Sequence, residues 1–88
     1  MHRLATALAV TLWSAAALAS PNCTSEPKDK WLSETAMKSK ISELGYKFKV
    51  FKVTTGNCYE IYGQNKVGQR TEVYFHPITG EIVEEHKS

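Results

Sequence analysis

The sequence predicts an α+β fold, one N-terminal helix packed on a four-stranded antiparallel β-meander, and three observations predict it. Apolar and polar residues alternate through Tyr59-Glu60-Ile61-Tyr62 and through Arg70-Thr71-Glu72-Val73-Tyr74-Phe75, the period of strands with one buried face. Turn formers interrupt the stretch from Gly45 to Val83 at Thr54-Thr55-Gly56-Asn57, at Asn65-Lys66-Val67-Gly68 and at His76-Pro77-Ile78-Thr79-Gly80, where Asn, Pro and Gly favour chain reversal. Met37, Ile41 and Leu44 fall at helical spacing and make one apolar stripe. A meander with one apolar face needs a cover, and that stripe supplies it.

The elements follow in chain order. Arg3 precedes an uncharged run from Leu4 to Leu18, and Ala17-Leu18-Ala19 is a small-x-small signal, so residues 1–19 read as a secretory signal peptide cleaved before Ser20. The run of about 15 residues falls short of the roughly 20 that span a membrane. The expected product is periplasmic or secreted, without stable membrane insertion after cleavage; a retained anchor is the alternative. Cleavage leaves about 69 residues, one small domain with a limited core. Residues 20–30 are a polar tail. A helix then lies within 31–45: Ser33 is its N-cap, Glu34 suits the dipole, Leu32 and Met37 fit a hydrophobic staple, and Gly45 is the left-handed cap.

The first strand covers 46–53. Its apolar set, Tyr46, Phe48 and Val50, slips phase to Phe51 and Val53, which a bulge near Val50-Phe51 would reconcile with one buried face. The second and third strands are the two alternating segments. Pro77 ends the third, and Glu81 to Glu84 is a brief edge strand before a charged tail, 85–88.

The formal net charge of +2 falls to about +1 once Arg3 leaves, too weak a field to indicate nucleic acid or an anionic membrane as partner. Lys47, Lys49 and Lys52 read as the wet face of a strand. Cys23 and Cys58 are the two cysteines, and an exported pair is normally a disulfide. Closing a loop of about 35 residues removes roughly 3 to 4 kcal/mol of unfolded-state entropy and ties residues 20–30 to the second strand. A metal site or catalytic thiol is the other reading, but zinc wants four clustered ligands, and neither C-x-x-C nor H-x-x-x-H occurs. No metal or cofactor is expected.

Catalysis is not expected either. His2 leaves with the leader, His76 sits beside a turn and His86 in the charged terminus, none pre-organised as a base. Glu60 and Glu72 are candidate cross-strand neighbours, but a wet sheet face keeps carboxylates too hydrated for general acid–base work. Binding is the better use of that face. If Tyr59, Ile61, Thr71, Val73 and Phe75 meet the helix, then Glu60, Tyr62, Arg70, Glu72 and Tyr74 project outward. Tyr and Arg are enriched in interface hot spots; the same residues also read as cross-strand pairs that merely stabilise a sheet.

Trp31-Leu32-Ser33-Glu34, Gly45-Tyr46, Cys58-Tyr59-Glu60-Ile61-Tyr62-Gly63 and the run from Gly68 to Val83, with its Pro77-x-Thr79-Gly80, resemble the PepSY family in its small exported single-domain form. The likeness covers nearly all of the chain after the leader, with 31–84 as the domain. It implies an α+β module that binds or restrains an exported or membrane protein, a peptidase among the candidates, and it does not imply an enzyme. The family often has Asp where this chain has His76. With no peptidase domain downstream, restraint would act in trans. A small exported sensor or accessory subunit that binds a metal or small ligand is the second reading.

The expected mature N-terminus is Ser20. Intact-mass measurement of the exported product checks it, and Met1 retained in a membrane fraction contradicts it.

Overall fold

In the computed structural model, which describes residues 20–88, a short 3-10 turn at Lys28–Lys30 precedes helix α1 (Glu34–Glu43). Strands β1 (Lys47–Val53), β2 (Tyr59–Gln64), β3 (Arg70–Phe75) and β4 (Ile82–Lys87) follow. They pair antiparallel in chain order, the predicted meander. The leader expected over 1–19 lies outside the described residues. Among the described residues no helix is long and apolar enough to cross a membrane.

The helix begins as its sequence dictates, with Ser33 Oγ accepting the Ala36 N–H at 3.1 Å, and it closes on Gly45 at φ 95°. Its buried stripe is shorter than expected. Met37 and Ile41 are fully buried, but Leu44 is the C-cap and 46% exposed. Tyr46 covers that end of the core instead, its ring edge-on to Phe75 at 6.1 Å. Beneath the helix lie Ile61, Val73 and Phe75, fully buried, with Tyr59. The Tyr59 hydroxyl donates to the Leu32 carbonyl at 2.7 Å, and Trp31 packs edge-on against its ring. A buried phenol needs such an acceptor.

The bulge falls earlier than predicted, between Phe48 and Val50, so Lys49 is the extra residue. Phe48 and Phe51 pack against the core, while Val50 pairs with Tyr62 and belongs to the opposite, outer face. The cause is steric. A Cβ on Gly63 would stand 2.0 Å from the Lys47 carbonyl oxygen, so β1 crosses β2 at Gly63 more closely than a side chain permits, and the ladder slips there.

One other expectation needs correction. Strand β4 runs to Lys87, so 85–88 is not a free charged tail. Glu85 accepts hydrogen bonds from the Tyr46 hydroxyl at 3.0 Å and the Thr71 hydroxyl at 2.9 Å, which hold a carboxylate at the sheet edge; burial and this bond push the Tyr46 phenol up to about 12. His76 takes over the turn-starting role of an Asp at this position: its Nδ1 accepts the N–H of Ile78 at 3.2 Å and of Thr79 at 3.4 Å.

The cysteines form the Cys23–Cys58 disulfide. The Cys23 N–H donates to the Gly56 carbonyl at 2.8 Å, and Asn57 Nδ2 to the Thr24 carbonyl at 3.3 Å. In this first turn the positive φ belongs to Asn57; Gly56 is needed because a Cβ would lie 2.2 Å from the Pro21 carbonyl oxygen. The tail is thus seated on the turn between β1 and β2, and Ser20 Oγ reaches within 3.4 Å of the Tyr74 hydroxyl.

The oxidised protein is expected to show no alkylatable thiol, and reduction to lower its unfolding free energy by about 2 to 5 kcal/mol. Alkylation and denaturant melts with and without reductant measure both; unchanged melts after reduction would show that the tether contributes nothing.

Candidate functional site

Residues directly opposite on antiparallel strands share a face, and the register writes the outer face as rows. Lys52, Glu60, Tyr74 and Glu84 make one; Val50, Tyr62, Glu72 and His86 the next; Lys47, Gln64 and Arg70 the last. All five predicted site residues, Glu60, Tyr62, Arg70, Glu72 and Tyr74, therefore lie on this face. They do not form one wet surface. Glu60 is 3% exposed and Tyr74 is 6%, whereas Tyr62 is 41% exposed and Arg70 is open to solvent.

The closed half is an acidic cluster. Glu60 lies two residues from Cys58 on the same face, flanked across the sheet by Lys52 and Tyr74, and Ser20 of the tail meets the Tyr74 hydroxyl. The Tyr74 hydroxyl donates to Glu72 Oε2 at 2.7 Å. Lys52 Nζ lies 3.7 Å from Glu60 Oε1 and 5.0 Å from the centre of the Tyr62 ring. Glu84 pairs with His86, whose ring packs edge-on against Tyr74. The expectation that this face keeps its carboxylates hydrated fails here, because Glu60 is buried between its cross-strand neighbours Lys52 and Tyr74.

Glu60 Oε2 is buried without a partner so long as both Glu60 and Glu72 are carboxylates, since neither can donate. A proton on Glu60 removes that conflict by donating to Glu72. Burial is the main cause that pushes the Glu60 carboxyl from 4.5 up to about 7, with the Glu72 interaction adding to it. Glu72, which accepts from Glu60 and from Tyr74, is held below the usual carboxylate range. Burial pushes the Tyr74 phenol up. The pair can hold and release one proton near neutrality.

The open half is a hollow. Lys47, Phe48, Lys49 and Val50 of β1, Tyr62, Gly63 and Gln64 of β2, and Arg70 of β3 line a cavity of about 520 Å³. Three cations stand around an apolar floor, and no carboxylate lines it. Among the described residues none of Lys47, Lys49 and Arg70 has an acidic partner within 4.0 Å. Of the predicted set only Tyr62 and Arg70 take part. Strand periodicity alone makes Lys47 and Lys49 solvated background and Val50 core; the phase slip at Val50-Phe51 is the mark of the bulge that turns Val50 to this side.

Among the described residues no group of three or more His, Cys, Asp or Glu is placed to hold a metal ion. The profile of a family described as peptidase propeptide and YPEB domain matches residues 3–86. No curated protein and no solved structure gives a significant match.

Glu60 gives the closed half a definite pH response. Its folded-state carboxyl keeps a proton to about 7, while the unfolded chain releases it near 4.5. The folded state thus binds more protons between those values, so stability from this group is present below about 4.5 and is lost as pH rises to about 7. The expected loss is on the order of 3 kcal/mol. Glu60→Gln keeps a donor toward Glu72 and cannot ionise, so it should be more stable than wild type near pH 8 and flatten the decline. Urea unfolding across that range measures it, and a variant less stable than wild type near pH 8 would contradict the shared-proton arrangement.

Proposed function

The chain belongs to the PepSY family, and from that premise we propose that it is a non-catalytic module, periplasmic or secreted, that binds or restrains another exported or membrane protein through the open half of its outer sheet face. Modules of this family are propeptide-like or regulatory, generally without catalysis, and typically exported. The observation that carries the reading is the hollow around Tyr62. A half-exposed tyrosine and valine sit on a rigid sheet, ringed by three cations that have no acidic partner among the described residues. Aromatic and Arg side chains in a concave setting are where binding energy concentrates. The disulfide and the closed acidic half hold this surface in one shape, so little ordering free energy is lost on association. A peptidase is one partner that the family description suggests.

The volume of the hollow also lies in the range of small-ligand pockets, which favours the sensor or accessory reading as second choice. A small organic anion that binds the hollow and leaves partner capture unaffected would support it.

Affinity capture from the exported fraction of the native cell tests the main reading. Tyr62→Ala and Arg70→Ala should each reduce recovery of the partner while shifting stability by about 0.5 kcal/mol or less, since both residues are exposed. Val73→Ala, fully buried, should instead cost about 1 to 4 kcal/mol. Undiminished capture by both outer-face variants would end the sheet-face reading.

A further inference from the structure

Resting on the reading that this face binds another protein, we propose that the hollow at the β1 bulge takes an extended acidic segment of that partner, its carboxylates on Lys47, Lys49 and Arg70 and an apolar side chain between Val50 and Tyr62. The sorting of charge across the face argues for it. Glu60 and Glu72 engage one another, Tyr74 and Lys52, and Glu84 pairs with His86, so none of these acids lines the hollow. Lys47, Lys49 and Arg70 are left facing solvent together. A ligand that satisfies all three must bring negative charge.

Shape narrows the ligand further. The hollow is lined by four successive residues of β1 and three of β2, so it follows the strand direction, and among the described residues β1 is an edge of the sheet with no strand on its far side. An extended chain fits that geometry, alternating the side chains it turns down. Val50 and Tyr62 offer apolar surface between the cations. Repeated acids on an alternating apolar strand match both features.

Other occupants fit less well. The chain's own residues 1–19 contain no Asp or Glu. A second copy would have to offer Glu81-Ile82-Val83-Glu84-Glu85, its most acid-rich run, but Glu84 is paired with His86 and Glu85 accepts from Tyr46 and Thr71. An anionic bilayer calls for clusters of about four to eight basic residues, and this hollow presents three.

The test is a titration of the exported, disulfide-bonded protein followed by amide NMR shifts. The probe is a short acetylated peptide alternating Glu and Val; the controls are the same peptide with Gln, and then Lys, in place of Glu. The Glu peptide should shift amides at 47–50, 62–64 and Arg70 and bind more weakly as salt rises. Lys49→Glu and Arg70→Glu should each weaken it by about tenfold or more. Lys30→Glu, an equal charge change on an exposed residue elsewhere, should not. Equal binding of the Gln peptide, shifts confined to other residues, or no saturation would each overturn the proposal. So would concentration-dependent dimerisation abolished by Lys49→Glu, or binding to phosphatidylglycerol vesicles in place of the peptide. If Tyr62→Ala abolishes partner capture but Lys49→Glu leaves it intact, the acidic-segment inference falls and the sheet-face reading stands. If neither variant affects capture, the sheet-face reading itself falls.

Discussion

The disulfide that ties the tail to the start of β2 is the constraint on which the rest of this small structure depends. The helix places only Met37 and Ile41 fully inside, a thin cover for a four-stranded sheet, and a domain this size has little net stability in reserve. Cys23–Cys58 narrows the unfolded ensemble and holds residues 20–24 against the β1–β2 turn. Ser20 then meets the Tyr74 hydroxyl. Burial at that end pushes the Glu60 carboxyl up to about 7, and Glu72 is the acceptor while Glu60 holds its proton. With the other end uncovered, Tyr62 and the cations of β1 stay open. One covalent link thus divides a face that strand periodicity alone would make uniform.

Much of the fold is legible in the sequence because local chemistry and tertiary packing agree. Ser33 and Gly45 mark the helix ends, alternation marks β2 and β3, and two cysteines admit one bridge. The differences have physical causes. Periodicity reports that the phase of β1 slips and points to Val50-Phe51, whereas Gly63 on the neighbouring strand fixes the slip at Lys49. That is cross-strand information, which a single strand does not contain. The charged run after Val83 reads as a strand that frays at Glu84, yet Glu85 and His86 find partners on Tyr46, Thr71 and Glu84 that extend β4 to Lys87.

The candidate site is half legible for the same reason. Alternation places Glu60, Tyr62, Arg70, Glu72 and Tyr74 on one face correctly, since facing is a property of strand geometry. Exposure is not. Whether a residue on that face meets water depends on what crosses it, and a polar, Pro-containing tail carries no periodic signal that it will lie down on a sheet. Alternation alone therefore makes contact residues of Glu60 and Tyr74, which are internal, and background of Lys49 and core of Val50, which line the hollow.

The two halves are also electrically linked. Lys47, Lys49, Lys52 and Arg70 face Glu60, Glu72 and Glu84 across a sheet only four strands wide, within reach of one Debye length, about 8 to 10 Å at ordinary salt, for neighbouring strands. An ionised Glu60 would offset Lys52 and draw field from the hollow. While Glu60 keeps its proton, the outer face carries these four cations against Glu72 and Glu84, and its potential stays positive where Tyr62 is exposed. The buried acid is destabilising as a carboxylate and permissive as a carboxylic acid, so the same burial that limits stability above about pH 7 preserves the cationic character of the open half below it.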